Sequence, residues 1–95
     1  MSKKKILIAD DEENLVKLIT VLLQGRGFVV VTASDGEEAL RQVEAERPDL
    51  AIIDLKLPKI NGWKVCQELK RHEKHRKMPL IVLSGLVDRK GEKTF

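Results

Sequence analysis

Two hydrophobic patterns alternate along this chain, and the alternation fixes its architecture. Lys5-Ile6-Leu7-Ile8-Ala9, Phe28-Val29-Val30-Val31-Thr32, Leu50-Ala51-Ile52-Ile53-Asp54 and Leu80-Ile81-Val82-Leu83-Ser84 are short runs of successive apolar residues. A strand covered on both faces needs no polar face, so it reads this way. Between the first two runs, Leu15, Leu18, Ile19, Leu22 and Leu23 recur at helical spacing and form one stripe, which Gly25 and Gly27 end. Ser34-Asp35-Gly36-Glu37 fits a capping box with Ser34 at the N-cap, ahead of a helix that buries Ala39, Leu40 and Val43. Pro48 disfavours helix at Arg47 and closes it. Asn61 caps a third helix with inner face Val65, Cys66 and Leu69. Strands alternating with helices predict an α/β fold: a doubly wound parallel sheet with right-handed crossovers and helices on both faces.

The chain has 95 residues, 42% of them hydrophobic, which suits one small domain that needs no disulfide or structural metal. Its single Cys66 has no internal partner, and this points to a reducing, cytoplasmic setting. No apolar stretch is long enough for a membrane span, and the run after Lys5 is too short for a signal peptide. The net charge of +3 comes from 18 basic and 15 acidic residues. The excess sits in Lys3 to Lys5 and Arg71 to Lys77, and the aromatics are only Phe28, Trp63 and Phe95. Direct nucleic-acid binding asks for a stronger basic stripe with stacking aromatics, so a solvated face is expected instead.

The placement of the acids carries the chemistry. Asp10 and Asp11 follow the first strand, and Asp54 ends the third. Ligands of a doubly wound sheet bind beyond the carboxyl ends of its strands, where strand order reverses. If strands 1 and 3 are neighbours, about 4.8 Å apart, three carboxylates meet at one rim. Such a cluster requires a protonated member, screening water or a cation. Mg²⁺ suits a few oxygen ligands, and a carboxylate beside it can accept a phosphoryl group. Taken singly, each acid is an ordinary turn residue, and Asp11 could cap the first helix.

Three blocks resemble the response regulator receiver family of two-component signalling: Ile6-Leu7-Ile8-Ala9-Asp10-Asp11, Asp54 through Pro58 to Gly62, and Met78-Pro79-Leu80-Ile81-Val82-Leu83-Ser84-Gly85. The resemblance covers residues 3 to about 88. It implies a flavodoxin-like sheet of strand order 2-1-3-4. It implies that Asp54 is the phosphoacceptor, fed by a sensor histidine kinase or phosphotransfer protein. Asp11, Asp54 and the backbone carbonyl of Lys56 would bind Mg²⁺ directly, and Asp10 through water. Ser84 would hydrogen-bond the phosphoryl group and report it, and the Gly85 N–H could donate to the same oxygens. The implied role is a signalling phosphoprotein, not an enzyme.

The same resemblance implies a fifth strand ending in a Lys before a Pro, a switch aromatic on that strand, and two last helices. Lys93-Thr94-Phe95 lacks the strand that should precede it, so residues 1–95 are read as a C-terminally incomplete receiver, with 85–95 a helical start or a tail. Mg²⁺ binding should then survive, whereas stable phosphorylation is in doubt. An exposed fourth-strand edge predicts a homodimer or segment-exchanged assembly. The alternative function is an interaction module that works without phosphorylation. A phosphohydrolase of the haloacid dehalogenase type is the enzyme rival, but Lys56 stands where those enzymes favour a second acid. His72 and His75, three apart in the basic segment, are expected on solvated surface, Cys66 in packing, and Trp63 beside the acids.

Overall fold

The computed structural model describes residues 3–83. Ser84, the Gly85 amide and the expected helical start or tail over 85–95 lie outside these. In chain order the elements are β1 (Lys5–Ala9), α1 (Glu13–Gly25), β2 (Val29–Ala33), α2 (Gly36–Glu46), β3 (Leu50–Asp54), α3 (Gly62–Arg71) and β4 (Leu80–Leu83). The four strands form one parallel sheet in the order β2-β1-β3-β4, the flavodoxin-like arrangement.

The crossover from β1 to β2 runs one way along the sheet, and that from β2 to β3 runs back over β1. Right-handed connections therefore place α1 on one face and α2 with α3 on the other. Leu7, Ala9, Ala33, Ala51 and Ile53 point toward α2 and α3, where Ala39, Val43, Val65 and Leu69 complete a single core. Alternation along the strand turns Ile6 and Ile8 to the opposite face, also buried.

That opposite face departs from expectation. The stripe on α1 predicts a buried helix, yet no α1 residue is buried, and Leu18 and Leu22 are 57% and 60% exposed. The helix rests on β2, at the sheet's edge, and no second helix shares its face among the described residues. Leu15, Leu18 and Leu22 of the stripe are therefore left exposed among the described residues.

The helix starts also shift. The N-cap of α2 is Asp35, not Ser34: Asp35 Oδ1 accepts the Glu38 N–H at 2.7 Å, and Glu38 Oε1 accepts the Ser34 N–H at 2.6 Å. The acid that closes the box is therefore Glu38 rather than Glu37. Glu12, not Asp11, caps α1. Asn61 caps α3 as expected, accepting the Lys64 N–H at 3.0 Å.

The solvated face predicted for both histidines holds only for His72. His75 is 8% exposed, and its Nε2 lies 2.9 Å from Glu44 Oε2 on α2. That hydrogen bond is the main reason the Glu44 carboxyl titrates below its ordinary range. Trp63 does not pack tightly beside the acids; it is 69% exposed and lines a shallow cleft with Cys66, Gln67 and Lys70. Cys66 is half-buried, and burial pushes its thiol up.

Two glycines are fixed by close approach. A Cβ at Gly36 would overlap the Ile60 carbonyl, and one at Gly62 would overlap the Asp54 carbonyl. Gly36→Ala and Gly62→Ala should each cost about 1–3 kcal/mol, as overpacked sites do. A Cβ at Gly25 meets nothing within 4 Å, so Gly25→Ala should be neutral or slightly stabilising. Urea denaturation of the three variants checks this contrast.

Candidate functional site

The register of β1 on β3 builds the site. Ala9 pairs with Ile53, so the next residues, Asp10 and Asp54, come level at the carboxyl rim. One carboxylate oxygen from each of Asp10, Asp11 and Asp54 lies within 4.8 Å of the others. The three acids expected to converge do so.

Each is held differently. Asp10 is 6% exposed. Its N–H donates to the Ala33 carbonyl at 3.0 Å, and its Oδ1 accepts the Glu12 N–H at 2.9 Å. Asp11 is exposed and Asp54 half-buried. Asp54 Oδ1 accepts the Lys56 N–H at 3.2 Å. Burial is the main force raising the Asp10 pKa; the Glu12 N–H opposes it, and the charges of Asp54, Asp11 and Glu12 add to it.

The loop after Asp54 is braced from both sides. The Gly62 N–H donates to the Leu55 carbonyl at 3.0 Å, which draws the start of α3 against the end of β3. The Gly36 N–H donates to the Pro58 carbonyl at 3.1 Å, which seats the loop on the start of α2. Lys59, at φ +67°, turns in the left-handed region and places its Nζ 3.5 Å from Asp35 Oδ2. Beside Asp10 and Asp11 a cleft of about 310 Å³ extends past Lys17 to Ser34 and Glu38.

Three clustered carboxylate oxygens are a hard donor set, and the mutual repulsion felt at Asp10 is what a divalent cation relieves. The residues present therefore fit Mg²⁺. Sequence reasoning missed Glu12, which both orients and repels the Asp10 carboxylate; the unbroken acidic run Asp10 to Glu13 was its signal. It also missed the Lys59–Asp35 contact, which no sequence pattern announces. Ser84 falls outside the described residues.

Residues 6–93 match the family model of the response regulator receiver domain. The chain belongs to that family. Receiver domains are signalling modules, and several relatives agree with the assignment. The chain is 46% identical over 82 residues to the alkaline phosphatase synthesis transcriptional regulatory protein of Bacillus subtilis, covering 86% of this chain and 33% of that protein. It therefore spans about a third of the length of this curated relative. A putative response regulator from Chloroflexus aurantiacus superposes with TM-score 0.87 at 31% identity, covering 94% of this chain and 73% of that one. The receiver domain of the sensor histidine kinase PA1611 from Pseudomonas aeruginosa superposes at TM-score 0.84 and 27% identity, over 93% of this chain and 72% of its own. That structure holds a magnesium ion in its active-site cleft.

The raised Asp10 pKa has a consequence for stability. The folded receiver domain keeps this proton at pH values where the unfolded chain has lost it. Stability from Asp10 is thus complete below the ordinary carboxylate range and falls as pH rises through the raised value. Asp10→Asn keeps the acceptor for Glu12 and removes the charge. In EDTA this variant should be more stable than wild type at about pH 7, with the advantage shrinking below about pH 4. Thermal unfolding at the two pH values reads the difference.

Proposed function

We propose that Asp54 accepts a phosphoryl group from a phosphohistidine on a sensor histidine kinase or phosphotransfer protein. The convergence of Asp54 with Asp10 and Asp11 at one rim carries this reading. An Asp54 carboxylate oxygen forms the bond to phosphorus as the phosphorus–nitrogen bond breaks, and the departing imidazole takes up a proton. The Lys56 N–H orients the Asp54 carboxylate for that attack.

Asp11, Asp54 and the Lys56 carbonyl would hold Mg²⁺, with Asp10 acting through water. The ion, when bound, neutralises charge on the carboxylates and the incoming phosphoryl group. Ser84 would donate to a phosphoryl oxygen, and so would the Gly85 N–H. Lys56, two residues beyond Asp54, cannot serve as a general acid/base carboxyl, which favours a phosphoaspartate signal over phosphohydrolase turnover. Phosphotransfer from such a kinase would take place in the cytoplasm. No helix among the described residues is long and apolar enough to cross a membrane.

Incubation with acetyl phosphate and Mg²⁺ should add the mass of one phosphoryl group to wild type and none to Asp54→Ala. Equal labelling of both would sink the assignment. Asp11→Asn should weaken Mg²⁺ at least tenfold in isothermal titration, on the scale seen for metal-site substitutions. Exposed Trp63, near the start of α3, offers a fluorescence reporter for both experiments.

Exposed Leu18, Val21 and Leu22 on α1 favour self-association into a homodimer. Light scattering should show a mass that rises with concentration in wild type and rises less in Leu22→Glu.

A further inference from the structure

At the other end of α2 from the acidic rim, three side chains from two separate segments converge. Glu44 lies near the end of α2, while His72 and His75 lie on the turn that follows α3. The His75 N–H donates to the His72 carbonyl at 3.0 Å, and the Arg76 N–H donates to the same oxygen at 2.9 Å. This helical turn puts residues three apart on one side. The two imidazole centroids are 4.8 Å apart. One ligand atom from each of Glu44, His72 and His75 lies within 4.8 Å of the others.

We propose that Glu44, His72 and His75 form a second metal site, selective for a borderline transition ion such as Zn²⁺ and independent of the phosphoacceptor chemistry. The donor set decides the class of ion. Two imidazoles and one carboxylate suit zinc, whereas Mg²⁺ prefers oxygen alone. Three protein ligands leave a fourth position for water. The three side chains line a cleft of about 150 Å³ together with Leu40, Glu68 and Leu69.

The distances are close to what the ion needs. Zinc bonds of about 2.0–2.1 Å to nitrogen and oxygen place tetrahedral ligands roughly 3.3 Å apart. His75 Nε2 and Glu44 Oε2 already sit 2.9 Å apart, so the ion replaces their shared proton after a small opening. Near-complete burial and this hydrogen bond fix the His75 ring, so part of the ordering cost is met before metal arrives.

Two costs oppose binding. His72 Nδ1 accepts the Lys74 N–H at 3.3 Å, a long bond that ligation gives up. Lys74 Nζ lies 3.8 Å from Glu44 Oε1, but the Lys74 side chain is 56% exposed and can swing into solvent. Neither approaches the strength of two metal–imidazole bonds. Bound metal would tie α2 to the turn between α3 and β4.

Competition between the 95-residue protein and a chromophoric chelator, in excess Mg²⁺, measures the Zn²⁺ affinity. Wild type should bind one equivalent. His72→Ala, at an exposed position that leaves folding intact, and Glu44→Gln should each bind at least tenfold more weakly. His72→Ala should retain wild-type Mg²⁺ affinity and phosphorylation. The imidazole ¹⁵N resonances of both His72 and His75 should shift together on Zn²⁺ addition. Equal Zn²⁺ affinity in wild type and both variants, or no binding at one equivalent, would overturn the proposal.

Discussion

Everything in this receiver domain follows from the parallel pairing of β1 with β3. Parallel strands run in register with their carboxyl ends together, so whatever follows them is delivered to one rim. With Ala9 opposite Ile53, Asp10 arrives level with Asp54. A slip of one residue would turn one of these side chains to the other face of the sheet. The register is secured by burial. Ile6 and Ile8 must face α1 while Leu7 and Ala9 face α2 and α3, and all four are almost wholly removed from water. Because both faces are buried, a slip would exchange the Ile6 and Ile8 set for the Leu7 and Ala9 set, and each overpacked position would cost about 1–3 kcal/mol. The apolar core thus enforces a juxtaposition that the acids themselves resist.

That resistance is visible in the titration of Asp10, pushed upward first by burial and then by its acidic neighbours. A chain selected only for stability would place an apolar residue at this buried position. Keeping a carboxyl there sets local destabilisation against the capacity to bind a cation, the kind of conflict between levels that marks functional sites. The loop that follows Asp54 shows the same compromise. Lys59 sits at a positive φ that most side chains avoid, and Gly62 is required because α3 begins against the Asp54 carbonyl.

How much of this was legible in the sequence depended on the range of the interaction. β1 and β3 have the expected bounds because continuous apolar runs stop at acids. The Asn61 cap was readable because a cap needs only its own next few residues. The α2 cap moved from Ser34 to Asp35 because both residue types cap well, and only the packing of Gly36 against Ile60 sets where the helix begins. The α1 stripe correctly announced a helix but not its burial, since burial depends on what else occupies that face. His75 and Glu44 are 31 residues apart, and neither carries a local signal of the other. Composition read His75 as surface charge, whereas tertiary contact made it a buried hydrogen-bonding group.

The same contact changes how α2 should be regarded. Its first residue, Gly36, is hydrogen-bonded to Pro58 in the loop that follows Asp54, and Asp35 pairs with Lys59 there. Near its last turn, Glu44 grips His75 on the far side of α3. The helix is therefore fastened at both ends to the passage that runs from β3 through α3 to β4. Between those points Ala39 and Val43 are packed with no room to slide, sharing a core with Val65 and Leu69 of α3. Displacing α3 must disturb a polar contact at one end of α2 or the other. A metal held by Glu44, His72 and His75 would lock the distal fastening.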